Sequence, residues 1–141
     1  MIIAEKVAVI DSSRRIVISS NDGVFDAAVF VRGNFHQLVR ILSNVLDNSI
    51  ESLIKGGEIR IELIAVPKSV QVHIEDNGIG IPSNVMQKIG IRGYSYKKIN
   101  GSGLGLHQAK EILHNWGGTL SVESILETGT KTIISLQTTD L

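Results

Sequence analysis

The chain has 141 residues, of which 43% are hydrophobic and 20% are charged, and its 14 Lys and Arg balance 14 Asp and Glu. This composition excludes a disordered chain, and the balanced charge gives no general attraction to nucleic acid or to a membrane surface. The absence of cysteine excludes a disulfide framework or a thiolate metal site and fits a cytoplasmic setting. We expect a single domain over residues 1–141, without a membrane span or signal peptide; its abrupt, strand-like start fits a piece of a larger protein.

The first 33 residues read as extended segments. Residues 6–10, 15–19 and 27–31 are rich in Val, Ile and Phe, and turn compositions separate them. We therefore predict that residues 1–26 form N-terminal strands and that a further strand precedes the next helix.

A long helix is predicted over residues 34–55. Asn34 is a good N-cap, Gln37 lies three residues on as in a capping box, and Gly56-Gly57 end the helix. At about 100° per residue, one broad arc of this helix is apolar. The arc consists of Leu38, Val39, Ile41, Leu42, Val45, Leu46, Ile50 and Leu53.

The other side of the same helix gathers Asn44, Asp47, Asn48 and Glu51. A plain solvated surface is one interpretation of this set, although such a face usually favours Lys, Glu and Arg. Amide and carboxylate oxygens also coordinate a hard cation or orient a phosphate, which is the functional interpretation.

The rest of the sequence alternates between predicted strand pairs and predicted helices. Residues 58–66 and 69–75 form a predicted hairpin about Pro67-Lys68, and residues 119–124 and 130–137 form another. Helices are predicted from Pro82 to Ile89 and over residues 104–116, with a mobile loop between them. Single helices between strand pairs predict an α+β fold, with helices on one face of a mixed, mostly antiparallel sheet.

The segment between Asp76 and Glu111 contains no acidic residue but several cations. Its glycines Gly101, Gly103 and Gly105 directly precede a helix, where backbone N–H groups and the helix dipole favour phosphate. A basic surface loop with turn glycines is the alternative interpretation. The spacing matches neither a Rossmann fingerprint nor a P-loop.

Asp76 ends a predicted strand beside a turn that holds Gly78 and Gly80. A carboxylate in such a place can accept the exocyclic amino group of adenine and would repel the carbonyl oxygen of guanine. A plain Asp-Asn-Gly turn is the simpler interpretation of the motif when it stands alone.

The ordered set of motifs resembles a known superfamily. Asn44-x3-Asn48, Asp76-x-Gly78-x-Gly80, Gly101-x-Gly103-x-Gly105 and Gly129-Thr130 are similar to the nucleotide-binding domain of gyrase, Hsp90, histidine kinases and MutL. The resemblance covers roughly residues 27–137. It implies a two-layer α/β sandwich, the Bergerat ATP-binding fold, with the adenine turn and ATP lid at residues 76–103.

The resemblance also implies roles for individual residues. Asn48 would bind the Mg2+ that bridges the phosphates of ATP, and Asn44 would help to position them. Asp76 would bind the adenine amino group, Gly80 would let the base lie close, and Thr130 would support that edge through water. The nucleotide-binding set implied is Asn44, Asp47, Asn48, Asp76, Gly78, Gly80, Ile81, Lys97, Gly101, Ser102, Gly103, Leu104, Gly105, Leu106 and Thr130.

Within the superfamily, Asn44 indicates a histidine kinase, because the ATPases and serine kinases resemble one another in having Glu there as general base. A neutral imidazole is already nucleophilic and needs no such base. Residues 46–52 are similar to the LDNAIEA stretch of citrate/fumarate-sensor and quorum-sensing kinases. Residues 93–97 resemble their G-[FYV]-S-T-K lid segment, with Tyr96 in place of Thr. The catalytic residues implied are Asn44, Asn48 and Lys97, with Lys97 on the γ-phosphate.

The chain departs from a complete sensor kinase. Glu51 stands where many such kinases have Lys, and no pair of long helices with a phosphoacceptor histidine precedes residue 35. His36, His73, His107 and His114 all have simpler structural explanations. The expected partners are therefore a separate dimerisation and phosphoacceptor domain and a downstream response regulator, with the chain lying in the cytoplasm as part of a sensor. A serine kinase or ATPase relative, and a non-catalytic nucleotide-binding module, remain the alternatives.

Overall fold

The structure is a computed structural model and describes residues 16–21, 29–88 and 104–139. Within these ranges it contains six strands and three helices. In chain order they are β1 (Ile16–Asn21), β2 (Phe30–Val31), α1 (Phe35–Ser52), β3 (Gly57–Val66), β4 (Ser69–Asp76), α2 (Ser83–Met86), α3 (Leu104–Asn115), β5 (Thr119–Ile125) and β6 (Gly129–Thr139). Strand predictions for residues 6–10 and the loop prediction for residues 91–102 lie outside the described residues.

The strands form one mixed sheet in the order β1-β3-β4-β6-β2, and β5 also pairs with β6. β1 runs parallel to β3, and the other pairings are antiparallel. The inward side chains of the sheet and the apolar sides of α1 and α3 share one buried cluster, which includes Ile41, Val45, Ile74, Leu113 and Ile134. The prediction of an α+β fold with a mostly antiparallel sheet is therefore confirmed.

Helix α1 begins as predicted and ends earlier than predicted. The Oδ1 of Asn34 accepts a hydrogen bond from the Gln37 N–H at 3.0 Å, so Asn34 is the N-cap. The helix ends at Ser52, because Leu53 leaves helical geometry (φ −89°, ψ 61°) and is 1% exposed. The helical pattern continues in the sequence, but the burial of Leu53 and the start of β3 at Gly57 end the helix earlier. Val39 was predicted on the apolar arc but is exposed.

Helix α2 is a single turn, shorter than the predicted span from Pro82 to Ile89. Pro82 has φ −59° and ψ 146°, so it caps the helix instead of occupying its first position. Its ψ is extended and not helical, so the helix begins one residue later, at Ser83. None of the helices that the structure describes is long and apolar enough to cross a bilayer.

The hairpins agree closely with their predicted bounds. β3 and β4 pair from Val66 with Ser69 to Ile59 with Asp76, and Lys68 in the turn has φ 64°. The register between β4 and β6 then sets Asp76 directly opposite Thr130. The sheet thus brings the two predicted adenine-edge residues side by side, although 54 positions separate them in the chain.

Candidate functional site

Asp76 is the buried charge at the centre of the site. It is the last residue of β4 and is 5% exposed. Its Oδ1 accepts two hydrogen bonds, from the Gly78 N–H at 3.0 Å and from the Ser52 hydroxyl at 3.1 Å. Among the described residues no hydrogen bond reaches Oδ2, so this oxygen keeps its capacity to accept a hydrogen bond from a ligand.

The turn after Asp76 is held from two sides. Towards α1, the Ile79 N–H donates to the Ser52 carbonyl at 3.1 Å. Towards the β5–β6 hairpin, the Glu127 N–H donates to the Ile79 carbonyl at 2.6 Å, and the Ile81 N–H donates to the Ser124 Oγ at 2.8 Å. These bonds fix the backbone of the turn without help from a ligand, so the turn is preorganised.

Two glycines make these close approaches possible. A Cβ on Gly78 would collide with the Oγ and the carbonyl of Ser52. Gly80 has φ +69°, and a Cβ there would collide with the backbone carbonyl of Ile125. Contacts within the protein therefore account for both glycines, and the predicted approach of an adenine ring to Gly80 stays a prediction.

Thr130 takes part in the same network. Its Oγ1 lies 2.7 Å from the Ser124 Oγ, which in turn donates to the Gly129 carbonyl at 3.0 Å. Since Thr130 pairs with Asp76 across the two strands, a polar group stands beside the carboxylate. Its contact with a nucleotide through water stays a prediction.

The polar face of α1 forms the second wall of the site. Asn44, Asp47, Asn48 and Glu51 are all exposed. Asn44, Asn48 and Ser52 follow one another at intervals of four residues and so form one stripe, which we call the α1 stripe. Over eight residues such a stripe extends about 12 Å along the helix.

The two ends of the α1 stripe contact different parts of the site. At one end Ser52 bonds to Asp76. At the other end Asn44 faces the first turn of α3, where a Cβ on Gly105 would lie 3.2 Å from the Asn44 Nδ2. The stripe therefore connects the carboxylate turn with the helix start that follows the glycine-rich segment, and Asn48 lies between them.

Several predicted site residues are placed only in part. Ile81 is half-buried and uses its backbone N–H on Ser124, while the half-buried Leu106 packs against the core cluster. Leu104 begins α3. Lys97, Gly101, Ser102 and Gly103 lie outside the described residues, so their roles stay predictions. His107 pairs with Glu111, with 3.1 Å between its Nε2 and the Glu111 Oε1.

Two residues of the network were missed in the sequence. Ser52 carries a usable signal, because it continues the four-residue spacing of Asn44 and Asn48. Ser124 carries none, since its bonds to Ile81 and Thr130 depend on the register of β5 with β6.

The residues present fit an adenine nucleotide with its metal ion. A buried carboxylate with one oxygen that no described residue hydrogen-bonds suits the amino group of adenine, which is a hydrogen-bond donor. The exposed amide oxygens of Asn44 and Asn48 suit a hard cation or the groups around a phosphate. No group of three or more His, Cys, Asp or Glu among the described residues gathers as a metal site.

Comparisons with known proteins agree with this geometry. Residues 33–140 match the family described as histidine kinase-, DNA gyrase B-, and HSP90-like ATPase. Sporulation kinase A of Bacillus subtilis is 34% identical over 108 residues, which are 77% of this chain and 18% of that protein. The sensor histidine kinase RppB of Synechocystis is 34% identical over 113 residues, 77% of this chain and 25% of that protein. The chain thus spans a quarter or less of the length of these relatives.

Solved structures give the same picture at the level of the fold. A mycobacterial sensor histidine kinase, MprB, superimposes with a TM-score of 0.71 at 29% identity, covering 88% of this chain and 84% of that one. The catalytic domain of histidine kinase ThkA superimposes with a TM-score of 0.66 at 26% identity, covering 76% and 70%. The predicted two-layer sandwich of the Bergerat type is confirmed by these neighbours.

Proposed function

The chain belongs to the histidine kinase-, DNA gyrase B-, and HSP90-like ATPase family, and from this premise we propose that it binds Mg·ATP and transfers the γ-phosphoryl group to a histidine on a separate dimerisation and phosphoacceptor domain. Its relatives and structural neighbours make it an ATP-binding catalytic domain of the histidine kinase type. The citrate/fumarate-sensor and quorum-sensing subtype stays a prediction.

The α1 stripe is the observation that carries this proposal. One helix contacts the buried Asp76 through Ser52 and the start of α3 through Asn44. The separation of about 12 Å is comparable with the reach of a nucleotide from its base to its terminal phosphate. The arrangement supports an ATP molecule lying along α1, with its base at Asp76 and its phosphates towards Gly105.

The base end follows from the chemistry of Asp76. The uncommitted oxygen of its carboxylate accepts the 6-amino group of adenine, whereas guanine would present a carbonyl oxygen to it. A buried acceptor that meets another acceptor loses a hydrogen bond and gains repulsion, so the site should reject guanine strongly. Thr130 supports the same edge of the base.

The phosphate end rests on the amides of α1. Asn48 would hold the Mg2+, and Asn44 would orient the phosphates near the positive end of the α3 dipole. When bound, the metal ion neutralises charge that develops during phosphoryl transfer. Asp47 lies beside these amides, and Lys97, Gly101, Ser102, Gly103 and Leu104 would close around the phosphates from the lid.

The choice of histidine as acceptor follows from Asn44. An amide cannot remove a proton from water or from a serine hydroxyl, whereas a neutral imidazole attacks without prior deprotonation. The acceptor would come from a partner domain, and a response regulator would take the phosphoryl group from it. We place this process in the cytoplasm.

Calorimetry tests the nucleotide part of the proposal. We expect ATP and ADP to bind and GTP to bind far more weakly. Removal of Mg2+ should lower the affinity for ATP but leave the preference for adenine over guanine unchanged. Equal affinities for ATP and GTP would contradict the assignment of Asp76.

Phosphoryl transfer tests the acceptor part. With γ-labelled ATP and an added histidine-bearing helical hairpin, the product should be acid-labile and base-stable, and Asn48→Ala should abolish it. An acid-stable phosphoserine, or steady-state hydrolysis by the isolated domain that Asn44→Ala abolishes, would indicate a serine kinase or ATPase. Tight binding without transfer to any acceptor would indicate a nucleotide-binding module.

A further inference from the structure

We propose that Ser52 is a positioning residue that holds the Asp76 carboxylate in the orientation that recognises a 6-aminopurine. This inference rests on the function proposed above and extends it to a residue outside the predicted nucleotide-binding set. Ser52 does not contact the base in this scheme; it acts through Asp76.

The geometry shows how Ser52 constrains the carboxylate. Its hydroxyl and the Gly78 N–H both donate to Oδ1 of Asp76, at 3.1 Å and 3.0 Å. Because both donors meet the same oxygen, rotation of the carboxylate is opposed, and within the described part of the chain Oδ2 is left for the ligand. The terminal torsion of an aspartate is otherwise broad, so this orientation needs such support.

The Ser52 hydroxyl has two acceptors within reach. The Ser52 Oγ also lies 2.7 Å from the Ser49 carbonyl, and one hydroxyl proton cannot serve both acceptors fully. If it pointed only at Ser49, two acceptor oxygens would face each other at 3.1 Å beside a buried charge. A hydrogen bond to a carboxylate is stronger than one to a neutral carbonyl, so we expect the proton to favour Asp76 although the Ser49 carbonyl is the nearer acceptor.

Gly78 lets the turn approach Ser52 closely. A Cβ on Gly78 would collide with the Ser52 Oγ and with the Ser52 carbonyl, so this approach requires glycine at position 78. The same Ser52 accepts the Ile79 N–H at its carbonyl. Side chain and backbone of one residue thus fix both the carboxylate and the turn that carries it.

Calorimetry with two ligands isolates this role. ATP carries the 6-amino group, whereas purine riboside 5′-triphosphate lacks it. For Ser52→Ala we expect the affinity for Mg·ATP to fall about five- to tenfold, as for loss of an ordinary intramolecular hydrogen bond, with less than a twofold change for the analogue. The preference for ATP over the analogue should therefore shrink. A purely structural role would weaken both ligands equally.

Ser43→Ala is the control, because Ser43 is an exposed serine on the same helix and the substitution removes the same hydroxyl group. It should leave both affinities unchanged. Ser52→Thr and Ser52→Val form a second pair of nearly equal shape, of which only Thr retains the hydroxyl. The preference for ATP should survive in Thr and shrink in Val, a comparison that also decides the matter if Ser52→Ala does not fold.

The two proposals fail in different ways. If the unsubstituted protein does not bind ATP, the proposed function is wrong. If it binds ATP in preference to the analogue and Ser52→Ala or Ser52→Val keeps that preference in full, the function stands and the role of Ser52 is refuted.

Discussion

Asp76 carries a cost that its surroundings offset only on one side. Burying a carboxylate requires donors that replace water, and the Gly78 N–H and the Ser52 hydroxyl supply two of them. Both donors lie on Oδ1, so the carboxylate has unused capacity at Oδ2. A ligand that donates a hydrogen bond to this oxygen gains a charge-assisted interaction in a place that water reaches poorly.

Replacing Asp76 with Asn tests this account with little change in shape. An Asn oriented by the same donors would present an NH2 group to the adenine amino group, so a donor would face a donor. We expect Mg·ATP affinity to fall by about 1–3 kcal/mol, measured by calorimetry, with ADP losing as much because the change is confined to the base. Glu75→Gln is the control, since Glu75 is the exposed neighbour on β4. Unchanged affinity in Asp76→Asn would remove Asp76 from the site.

At the scale of elements, the β5–β6 hairpin serves as a support for the turn that follows β4. Glu127 and Ser124 bond the turn, and Gly80 lies against the Ile125 carbonyl. The turn proposed to recognise the base is therefore as rigid as the hairpin that supports it. Any side chain at position 80 would push the two elements apart.

Gly80→Ala and Gly117→Ala separate this contact from simple backbone strain. Both glycines have a positive φ, +69° and +77°, so both substitutions carry the left-handed penalty of about 1–2 kcal/mol. At Gly117 the added Cβ meets only the end of the exposed Gln137 side chain, which can move. At Gly80 it meets backbone, so we expect a further loss of about 1–3 kcal/mol.

Urea unfolding measures the difference between these two variants, and calorimetry should show that Gly80→Ala also weakens ATP binding. Equal losses of stability in both variants would mean that the hairpin yields to the added methyl group. In that case the support assigned to β5–β6 would be wrong.

The elements differ in how well the sequence predicts them. The α1 cap, the polar face around Asn48 and both hairpins follow from local patterns, because side-chain period and turn residues act within a few positions. The end of α1 does not, since burial of Leu53 is decided by the whole core. The spacing of Asn44 and Asn48 extends to Ser52 and so predicts its side of α1, but not its bond to Asp76. The bonds of Ser124 depend on the register of β5 with β6, which no local pattern predicts.

At the scale of the whole molecule, the sheet has two unlike faces. One is covered by α1 and α3 and contains the core cluster. The other bears charged and polar side chains, of which Arg60, Glu62, His73, Glu75 and Lys131 line a shallow depression. The proposed nucleotide site lies at the helical layer, so protonation on the outer face takes place without direct contact with that site.

His73 on this outer face should make stability depend on pH. Partial burial is the main cause that lowers its pKa below 6.5 and the Lys131 charge is the second, while Glu62, Glu123 and Glu75 oppose the shift. As pH falls through 6.5, the unfolded chain takes up a proton that the folded chain resists, so stability is lost towards acid.

His73→Gln removes this contribution. The stability of this variant should therefore fall less than that of the unsubstituted protein between pH 7.5 and about 5.5, above the range where carboxylates titrate. Urea unfolding at several pH values measures the difference, with His114→Gln at the exposed end of α3 as the control. Parallel pH profiles for His73→Gln and the unsubstituted protein would show that His73 protonates equally in both states.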